Sequence, residues 1–323
     1  MTKSIISFII TASALLIATG CRSGRDSAIM SVSRIPDGNI DIRQYADIGK
    51  RLSDFVSEKD ARIGIAVITP EGDTIEVNGH RDFPMLSVYK FPQALAVADY
   101  CVKNGIVSDS VISIGKDEIL PDTWSPLREK YGIRTISLPL TELLEYSLIQ
   151  SDNNACDILF RLIGGPHVAD SLMKTYGLND IVIESTEKEM HENFYLCYLN
   201  RSTPIAMAKL FDRFFRGGQS HVSPLHEAIG KMLLTCSTGT NRLPAPLLSA
   251  GIPIAHKTGT GDRNPQGRII AVNDAGHVFL PGGKGYSIAV FVADSAYSME
   301  ETEKIISDIS AIVLDYISPQ SNP

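Results

Sequence analysis

Strand-forming patterns stand at the two ends of this 323-residue chain, and a long stretch of helical patterning separates them. Near the N-terminus, Ile63, Ile65 and Val67 alternate with small residues as in a strand, and residues 74–78 form a second strand after the turn at residues 69–72. Further strand patterns appear only at residues 252–258, 269–272, 278–280 and 286–292. We therefore expect the two ends of the chain to meet in one sheet.

Helical patterns complete the predicted architecture. Residues 41–56 suggest a first helix, and a closing helix presents one apolar face that could cover the sheet, made of Ile305, Ile309, Ile312, Val313 and Tyr316. The sequence thus predicts an α/β fold of the α+β sandwich type, with a five-stranded antiparallel sheet flanked by terminal helices. Residues 41–86 and 238–318 form this α/β lobe, and residues 87–237 form an inserted all-helical lobe. We expect the active site in the cleft between the lobes.

Composition and charge narrow the classes of function. The chain is 44% hydrophobic and 21% charged, the balance of a globular protein. A formal net charge of -7 and the lack of a basic run interleaved with aromatics argue against nucleic-acid binding. The histidines are scattered, without His-x-His or His-Glu-x-x-His spacing, so we expect no zinc hydrolase and no cofactor.

The N-terminus has the pattern of an export signal. Lys3 precedes the apolar run from Ile5 to Ile17, which is shorter than the about 20 apolar residues that span a bilayer. We interpret residues 1–21 as a signal peptide, and we expect an exported, periplasmic protein with no transmembrane span in its mature form. Ala18-Thr19-Gly20-Cys21 resembles a lipobox, in which Cys21 would carry a lipid anchor; ordinary cleavage nearby is the alternative.

Four further cysteines remain after Cys21. An oxidising compartment would permit disulfides between them, but we favour free, buried thiols, because Cys101 and Cys156 sit on apolar helical stretches. The other two are Cys197 and Cys236, and none has zinc-ligand spacing.

The first chemical motif is Ser87-Val88-Tyr89-Lys90, at the start of the apolar helical run over residues 91–102. A spacing of three puts Ser87 and Lys90 on one helix face, where the amine can take the hydroxyl proton. The helix N-terminus also favours the negative charge of an oxyanion. Taken alone, this motif is more often a solvated helix start. Pro92 removes an amide donor from the helix, so we expect its first turns to adjust.

Two further motifs follow along the chain. Ser151-Asp152-Asn153 stands between two helical patterns, where such residues usually cap a helix. In a functional interpretation, Ser151 passes a proton to a leaving nitrogen and Asn153 donates to a substrate carbonyl. Lys257-Thr258-Gly259-Thr260 ends a strand, and Gly259 would let a substrate lie along the strand edge. The alternative is a solvent-facing strand end.

In this order, the three motifs resemble those of the class A serine β-lactamases, a set shared with penicillin-binding proteins. The resemblance covers nearly the whole mature chain and implies the β-lactamase/transpeptidase-like fold. Residues 86–90 and 150–157 are most similar to the cephalosporinase-like subgroup of anaerobic Gram-negative bacteria. The family resemblance therefore implies a hydrolase that opens the cyclic amide of β-lactam antibiotics, prefers cephalosporins, also accepts penicillins and confers antibiotic resistance.

The family also implies a carboxylate that activates the deacylating water, in a Glu-x-x-x-Asn pattern between the second and third motifs. Glu184, Glu187 and Glu189 lie in this region, and they could all be solvated loop charges. We assign Glu187, because His191 then takes the water-holding position, as it does in the subgroup. Most relatives pin this loop with an Arg two residues before the base. Ser185 stands there, so other contacts must hold the loop.

The same resemblance implies the remaining roles. The backbone amides of Ser87 and Thr260 would form the oxyanion hole, and Lys257, Thr258 and Thr260 would hold the substrate carboxylate. In acylation, Ser87 would lose its proton to Lys90, or through water to the glutamate, a point disputed for the family.

Two more residues match family positions around the cleft. Arg242 resembles a second cationic anchor for the substrate, with a surface salt bridge as the alternative. Trp124, with polar and Pro-flanked neighbours, matches an aromatic residue that walls the cleft entrance. Carbapenemase relatives carry cysteines where Leu86 and Gly261 stand, so carbapenem turnover is not implied.

Other classes of protein stay open at this point. A DD-peptidase or penicillin-binding protein would use Ser87, Lys90, Ser151 and Lys257 on peptidoglycan without a deacylating base, and Glu187 argues against it. A β-lactam sensor would acylate once, but such sensors normally carry a membrane span and a signalling domain. A serine esterase lacks support, because there is no Gly-x-Ser-x-Gly elbow. We expect a small β-lactam molecule as the partner and a monomeric protein.

Overall fold

The structure is a computed structural model and describes residues 30–33 and 42–318. The predicted export signal, with the lipobox residue Cys21, lies outside these residues. Across the part that is described, no helix combines the length and the apolar character needed to cross a membrane.

The main sheet joins strands from both ends of the chain. In chain order, the strands of the described residues are β1 (Met30–Ser33), β2 (Arg62–Ile68), β3 (Thr74–Val77), β4 (Phe83–Pro84), β5 (Val111–Ile114), β6 (Ile136–Pro139), β7 (Ile181–Val182), β8 (Arg201–Ser202), β9 (Ile254–Thr260), β10 (Ile269–Phe279) and β11 (Gly285–Ser295). The main sheet is antiparallel, in the order β1-β3-β2-β11-β10-β9. The predicted five-stranded antiparallel sheet is confirmed, and β1 adds a sixth strand at the edge beside β3.

Helices fill the segment between β3 and β9 and also flank it in sequence. They are α1 (Ile42–Ser57), α2 (Lys90–Asn104), α3 (Pro126–Tyr131), α4 (Leu140–Ile149), α5 (Asn153–Ile163), α6 (Pro166–Thr175), α7 (Glu187–Glu192), α8 (Pro204–Phe215), α9 (Pro224–Leu234), α10 (Pro244–Ser249) and α11 (Met299–Ile317). Short 3-10 turns span Leu86–Tyr89, Lys116–Glu118, Phe194–Tyr198, Gln219–His221 and Pro281–Gly283. Two small sheets, β5-β6 and β4-β8-β7, lie in the same segment. Their strands are too short to give a clear period-two pattern in the sequence.

β10 is longer than the sequence predicts. Residues 269–272 and 278–280 read as separate strands, because Asn273 and Asp274 interrupt the apolar pattern, but the strand runs unbroken through them. Both side chains are buried and have partners: Asn273 Nδ2 donates to Pro84 O at 2.8 Å, and Asp274 Oδ1 bonds His256 Nδ1 at 2.9 Å. Buried polar groups with such partners are compatible with a continuous strand.

The core lies on both faces of the main sheet, because side chains alternate between the faces along each strand. Ile63, Ile65 and Val67 of β2 face α1 and α11, where Ile305, Ile309 and Val313 of the closing helix are buried against them. This confirms the predicted apolar face of α11. Each such side chain contributes about 2 kcal/mol, and a whole domain has a net stability of only about 5–15 kcal/mol. The fold therefore depends on α11.

The opposite face of the sheet packs against the helices of the middle segment. Ala66 and Phe291 belong to the same buried cluster as Phe91 of α2 and Phe211 of α8. The described cysteines, Cys101, Cys156, Cys197 and Cys236, are buried and free, as the sequence favoured.

Candidate active site

A cleft of about 750 Å³ gathers most of the site residues that the sequence predicts. Its lining includes Ser87, Trp124, Ser151, Asn153, Glu187, His191, Thr258 and Thr260. Lys90 and Lys257 are fully buried behind this lining and reach it through hydrogen bonds. A site of this size can hold a small organic substrate.

Ser87 lies in the 3-10 turn Leu86–Tyr89, which runs directly into α2 at Lys90. This 3-10 turn at the start of α2 is the adjustment of the first turns that we expected because of Pro92. Pro92 is the third residue of α2, within the first turn, where amide groups lack intrahelical acceptors in any case. Leu86, the residue before Ser87, has a φ of 49°. This left-handed conformation costs a leucine about 1–3 kcal/mol.

Two neighbouring strands hold this strained turn in place. Asn273 of β10 donates from Nδ2 to Pro84 O at 2.8 Å and to Met85 O at 3.1 Å. Gly259 of β9 packs so closely that a Cβ atom there would lie 2.3 Å from Met85 O and 3.0 Å from Leu86 Cβ. The sequence attributed Gly259 to the approach of substrate, whereas its position shows that the turn that carries Ser87 requires a glycine.

Lys90 contacts three of the residues that the sequence predicts for the site, Ser151, Asn153 and Glu187. Its ammonium donates to Asn153 Oδ1 at 2.6 Å and to Ser151 O at 2.8 Å, and it lies 3.0 Å from Glu187 Oε1. Because Lys90 is fully buried, these two hydrogen bonds and the ion pair with Glu187 replace the water that a lysine normally binds. Ser87 stands three residues before Lys90, and Ser87 and Glu187 line the same cleft.

Ser151 and Lys257 form the opposite side of the cleft. Ser151 follows α4 with a φ of 59°, and its Oγ accepts a hydrogen bond from Lys257 Nζ at 2.9 Å. Burial lowers the pKa of Lys257 to about 8, and the positive charges of Lys90 and Arg242 act in the same direction. Lys257 can thus hold the Ser151 hydroxyl and attract an anionic substrate group, provided that it remains protonated.

Glu187 begins α7, and a carboxylate from another helix fixes its position. Asp157 of α5 accepts the backbone amides of Glu187 and Lys188, each at 2.8 Å. Burial raises the pKa of Asp157 to about 7, and the neighbouring Glu187 adds to the rise. The side chain of Glu187 is 13% exposed, so it faces the cleft while Lys90 contacts one of its oxygens. Sequence reasoning missed Asp157, although it lies four residues beyond Asn153.

The loop before Glu187 is held by an amide side chain, in agreement with the expectation that contacts other than an Arg at position 185 hold it. Asn200 Oδ1 accepts the backbone amides of Glu184 and Ser185, both at 2.9 Å, and Asn200 Nδ2 donates to Ser185 O at 2.8 Å. Asn200 is fully buried. No sequence pattern singled out this residue, because its role depends on contacts across the loop.

His191 and Trp124 stand at the rim of the cleft. His191 lies four residues after Glu187 on α7, so both side chains share one helix face, and it is exposed. Trp124 is 57% exposed, and its indole nitrogen donates to Gln150 O at 2.9 Å. Asn153 Nδ2 donates to Thr123 Oγ1 at 2.8 Å, so a substrate carbonyl would compete with Thr123 for this amide.

Arg242 lies behind β9, outside the cleft lining. Its guanidinium pairs with Glu303 of α11 at 2.9 Å, donates to Gly259 O at 3.1 Å and to Thr260 Oγ1 at 2.7 Å. It is only 3% exposed. This position corrects the sequence-based interpretation of Arg242 as a direct anchor for the substrate, and equally the alternative of a surface salt bridge. Arg242 contacts the cleft lining through Thr260.

The fold and this site have the arrangement of a serine acyl-transfer enzyme. Residues 47–317 match the sequence profile of the Beta-lactamase enzyme family. A beta-lactamase of Bacteroides uniformis is 39% identical over 84% of this chain and 92% of its own length, and Beta-lactamase VEB-1 of Pseudomonas aeruginosa is 38% identical over 84% and 91%.

Solved structures agree with these relatives. The TLA-1 extended spectrum beta-lactamase has a TM-score of 0.81 and 37% identity, covering 85% of this chain and 99% of that one. A class A beta-lactamase from Bacteroides cellulosilyticus DSM 14838 has a TM-score of 0.81 and 35% identity, with coverages of 86% and 99%. The chain belongs to the beta-lactamase enzyme family and is a class A serine β-lactamase, an enzyme that hydrolyses β-lactams.

Proposed function

We propose that Ser87 is the nucleophile that opens the β-lactam ring and that Glu187 activates the water that hydrolyses the acyl-enzyme. The observation that carries this assignment is the position of Lys90, whose ammonium contacts Asn153 and Glu187 within one cleft that Ser87 lines. The proposed nucleophile and the groups that can take its proton are thereby held in one cleft.

In the acylation half, Ser87 Oγ attacks the lactam carbonyl, and its proton passes through water to Glu187, or to Lys90 in the neutral amine form that it takes after giving a proton to Glu187. The backbone amides of Ser87 and Thr260 stabilise the oxyanion, where one donor is typically worth about 3–4 kcal/mol. The C–N bond then breaks, and Ser151 gives its proton to the nitrogen. Lys257, bonded to Ser151 Oγ, can support this transfer.

Substrate binding uses the groups around β9. Lys257, Thr258 and Thr260 hold the substrate carboxylate, while Arg242 positions Thr260 from behind the strand. Asn153 donates to the substrate amide carbonyl once Thr123 releases it. Trp124 walls the entrance, and its exposed indole offers an apolar surface to substrate side chains.

In the deacylation half, Glu187 takes a proton from a water that attacks the acyl carbonyl, and His191 helps to hold this water. General base catalysis of this kind is typically worth 10²- to 10⁴-fold. The support for Glu187 is its place at the start of α7, fixed by Asp157 and turned toward Lys90.

We further propose that the enzyme prefers cephalosporins over penicillins and works as an exported, periplasmic monomer, with Cys21 as a lipid attachment point. The subgroup resemblance supports the preference. A relative named Extended-spectrum beta-lactamase PER-1, of Pseudomonas aeruginosa, is 32% identical over 81% of this chain. The N-terminal sequence supports export.

The test is multiple-turnover hydrolysis of a chromogenic cephalosporin and of a penicillin by the mature protein, compared with Ser87→Ala and Glu187→Gln. We expect sustained turnover by the wild type and none by Ser87→Ala. Glu187→Gln should acylate and then stall, with the adduct visible by mass spectrometry. Undiminished turnover by Glu187→Gln would refute its assignment as the base. A faster reaction with the penicillin would refute the cephalosporin preference.

A further inference from the structure

Asn273 of β10 binds the segment that leads to the proposed nucleophile. Its side chain is fully buried, and its Nδ2 group donates to Pro84 O at 2.8 Å and to Met85 O at 3.1 Å. These two residues stand directly before Leu86 and Ser87 in the chain. One side-chain amide of the sheet therefore uses both of its N–H donors on the approach to Ser87.

The same residue is paired with β9, which carries the second amide of the proposed oxyanion hole. Asn273 stands opposite Gly259 in the antiparallel register, and Thr260 follows Gly259. Side chains that are directly opposite in such a pair project to the same face of the sheet. A Cβ atom on Gly259 would lie 2.3 Å from Met85 O, so the turn rests directly on this strand pair. Asn273 thus binds the segment before one amide and belongs to the strand pair that holds the other.

The acceptor end of the Asn273 amide is not used in the same way. Oδ1 is buried and has no hydrogen-bond partner among the residues that the structure describes. A buried acceptor without a partner costs folding free energy, so it calls for an explanation other than stability. The reversed orientation of the amide would place Oδ1 against the carbonyls of Pro84 and Met85, where acceptors repel each other. The two carbonyls therefore fix the orientation of the amide, and Oδ1 is left without a partner as a result.

The strained residue Leu86 depends on contacts from both sides. Its φ of 49° is a left-handed conformation that persists only when the surroundings enforce it. On one side, Met85 N donates to Asn200 O at 2.8 Å. From the other side, Asn273 binds the Met85 carbonyl. Without that bond Leu86 would be free to relax, and the peptide that carries the Ser87 amide would rotate.

We propose that Asn273 is a positioning residue that aligns the backbone amides of Ser87 and Thr260 as the two donors of the oxyanion hole. This inference rests on the roles proposed above for these amides. Oxyanion stabilisation depends on donors that point at the developing charge before the reaction starts. Since an oxyanion forms in acylation and again in deacylation, loss of the Asn273 contacts should slow both halves. Substrate binding through Lys257 should change less.

The experiment compares hydrolysis of a chromogenic cephalosporin by the wild type, Asn273→Asp, Asn273→Ser and the control Asn179→Asp. Aspartate has the shape of asparagine but places an oxygen where Nδ2 donates, and a serine hydroxyl can donate to only one carbonyl. Asn179 is exposed, so the same chemical change there should leave kcat unchanged. We expect Asn273→Asp to lower kcat by roughly 30-fold, with a smaller change in KM. Asn273→Ser should lower kcat in the same way but less, and it decides the question if the aspartate variant does not fold.

The stretching frequency of the acyl carbonyl distinguishes a positioning role from a loss of stability. The acyl-enzyme is trapped in the Glu187→Gln background, and its ester carbonyl is recorded by infrared difference spectroscopy. Weaker hydrogen bonds in the oxyanion hole should move this band to higher wavenumber in both Asn273 variants. Ile65→Val is the stability control: Ile65 is buried against α1 and α11, so this variant should be less stable while its band stays in place. A band at the wild-type position in both Asn273 variants would overturn the inference, as would a wild-type kcat.

Amide NMR spectra of the free enzyme give a further measurement that needs no catalysis. The Asn273 variants should shift the resonances of Ser87 and Thr260, and the two control variants should leave both in place. Unshifted resonances in the Asn273 variants would overturn the inference. If Ser87→Ala still hydrolyses the cephalosporin, or if Glu187→Gln traps no adduct, the proposed function fails, while the NMR comparison still decides whether Asn273 positions the two amides.

Discussion

Replacement of Asp157 by asparagine should slow deacylation while leaving acylation largely intact. Asp157 accepts two backbone amides at the start of α7, both at 2.8 Å, and no other residue described in this structure bonds those two amides. Asparagine offers one acceptor oxygen and one amide donor, so one of the two N–H groups would face another donor. A lost hydrogen bond to a charged group is worth about 2 kcal/mol, which corresponds to roughly 30-fold in rate if it misplaces Glu187.

The assay is a pre-steady-state measurement that separates the burst of acylation from the later steady rate. Asp157→Asn should keep its burst and accumulate acyl-enzyme, detected by mass spectrometry after rapid quenching. The control is Asp180→Asn, the same chemical change at an exposed position. Equal losses in both halves of the reaction, or an unchanged steady rate, would refute the idea that Asp157 acts by orienting Glu187.

The same variant has a pH signature in stability. The pKa of Asp157 is raised from 3.8 to about 7 by folding, so its contribution favours the folded state below about pH 4 and is lost as pH rises through about 7. Over this range the wild type should lose stability relative to Asp157→Asn, by at most about 4 kcal/mol. Chemical denaturation at several pH values measures the difference, and parallel curves would contradict the shift.

Three further changes test other parts of the site. Gly259→Ala should lower the free energy of unfolding by about 1–3 kcal/mol and slow acylation, because its Cβ would lie 2.3 Å from Met85 O; wild-type acylation would contradict this packing role. Arg242→Lys should raise KM by roughly tenfold and lower kcat less, because lysine cannot reproduce the forked contacts to Thr260 and Glu303. An equal fall in kcat would point to a direct catalytic role. Trp124→Ala should change KM with less than about 0.5 kcal/mol effect on stability, as measured by denaturation, since the indole is 57% exposed; a large loss of stability would make it a core residue.

Local patterns were sufficient to predict the main sheet and the closing helix. The motifs of Ser87 and Ser151 became informative only through the resemblance of their order to a known family, and Glu187 was assigned through that resemblance. The sequence could not indicate what holds them. Asp157 and Asn200 act on backbone amides of a loop remote in sequence, and contacts of this kind leave no periodic pattern.

Polar residues inside the sheet led to the other wrong predictions from the sequence. Residues 269–272 and 278–280 were predicted as separate strands, yet β10 runs through Asn273, which supports the turn that carries Ser87, and through Asp274, which bonds His256. Arg242 was predicted to face the substrate because its type and place suit an anion, but Glu303, far along the chain, neutralises it. A buried partner changes what a charged residue does, and single-sequence reasoning cannot supply that partner.

The strand order has a consequence for how the enzyme comes into being. β2 pairs with β11, and Glu303 of α11 anchors Arg242 behind β9, so elements that are synthesised after the helices of the middle segment complete the sheet and support the cleft. A growing chain can contain Ser87, Lys90 and Glu187 and still lack the strands and the helix that position these residues. Activity should therefore appear abruptly, only after the C-terminal helix emerges, and a nascent or truncated chain should neither trap nor destroy the antibiotic.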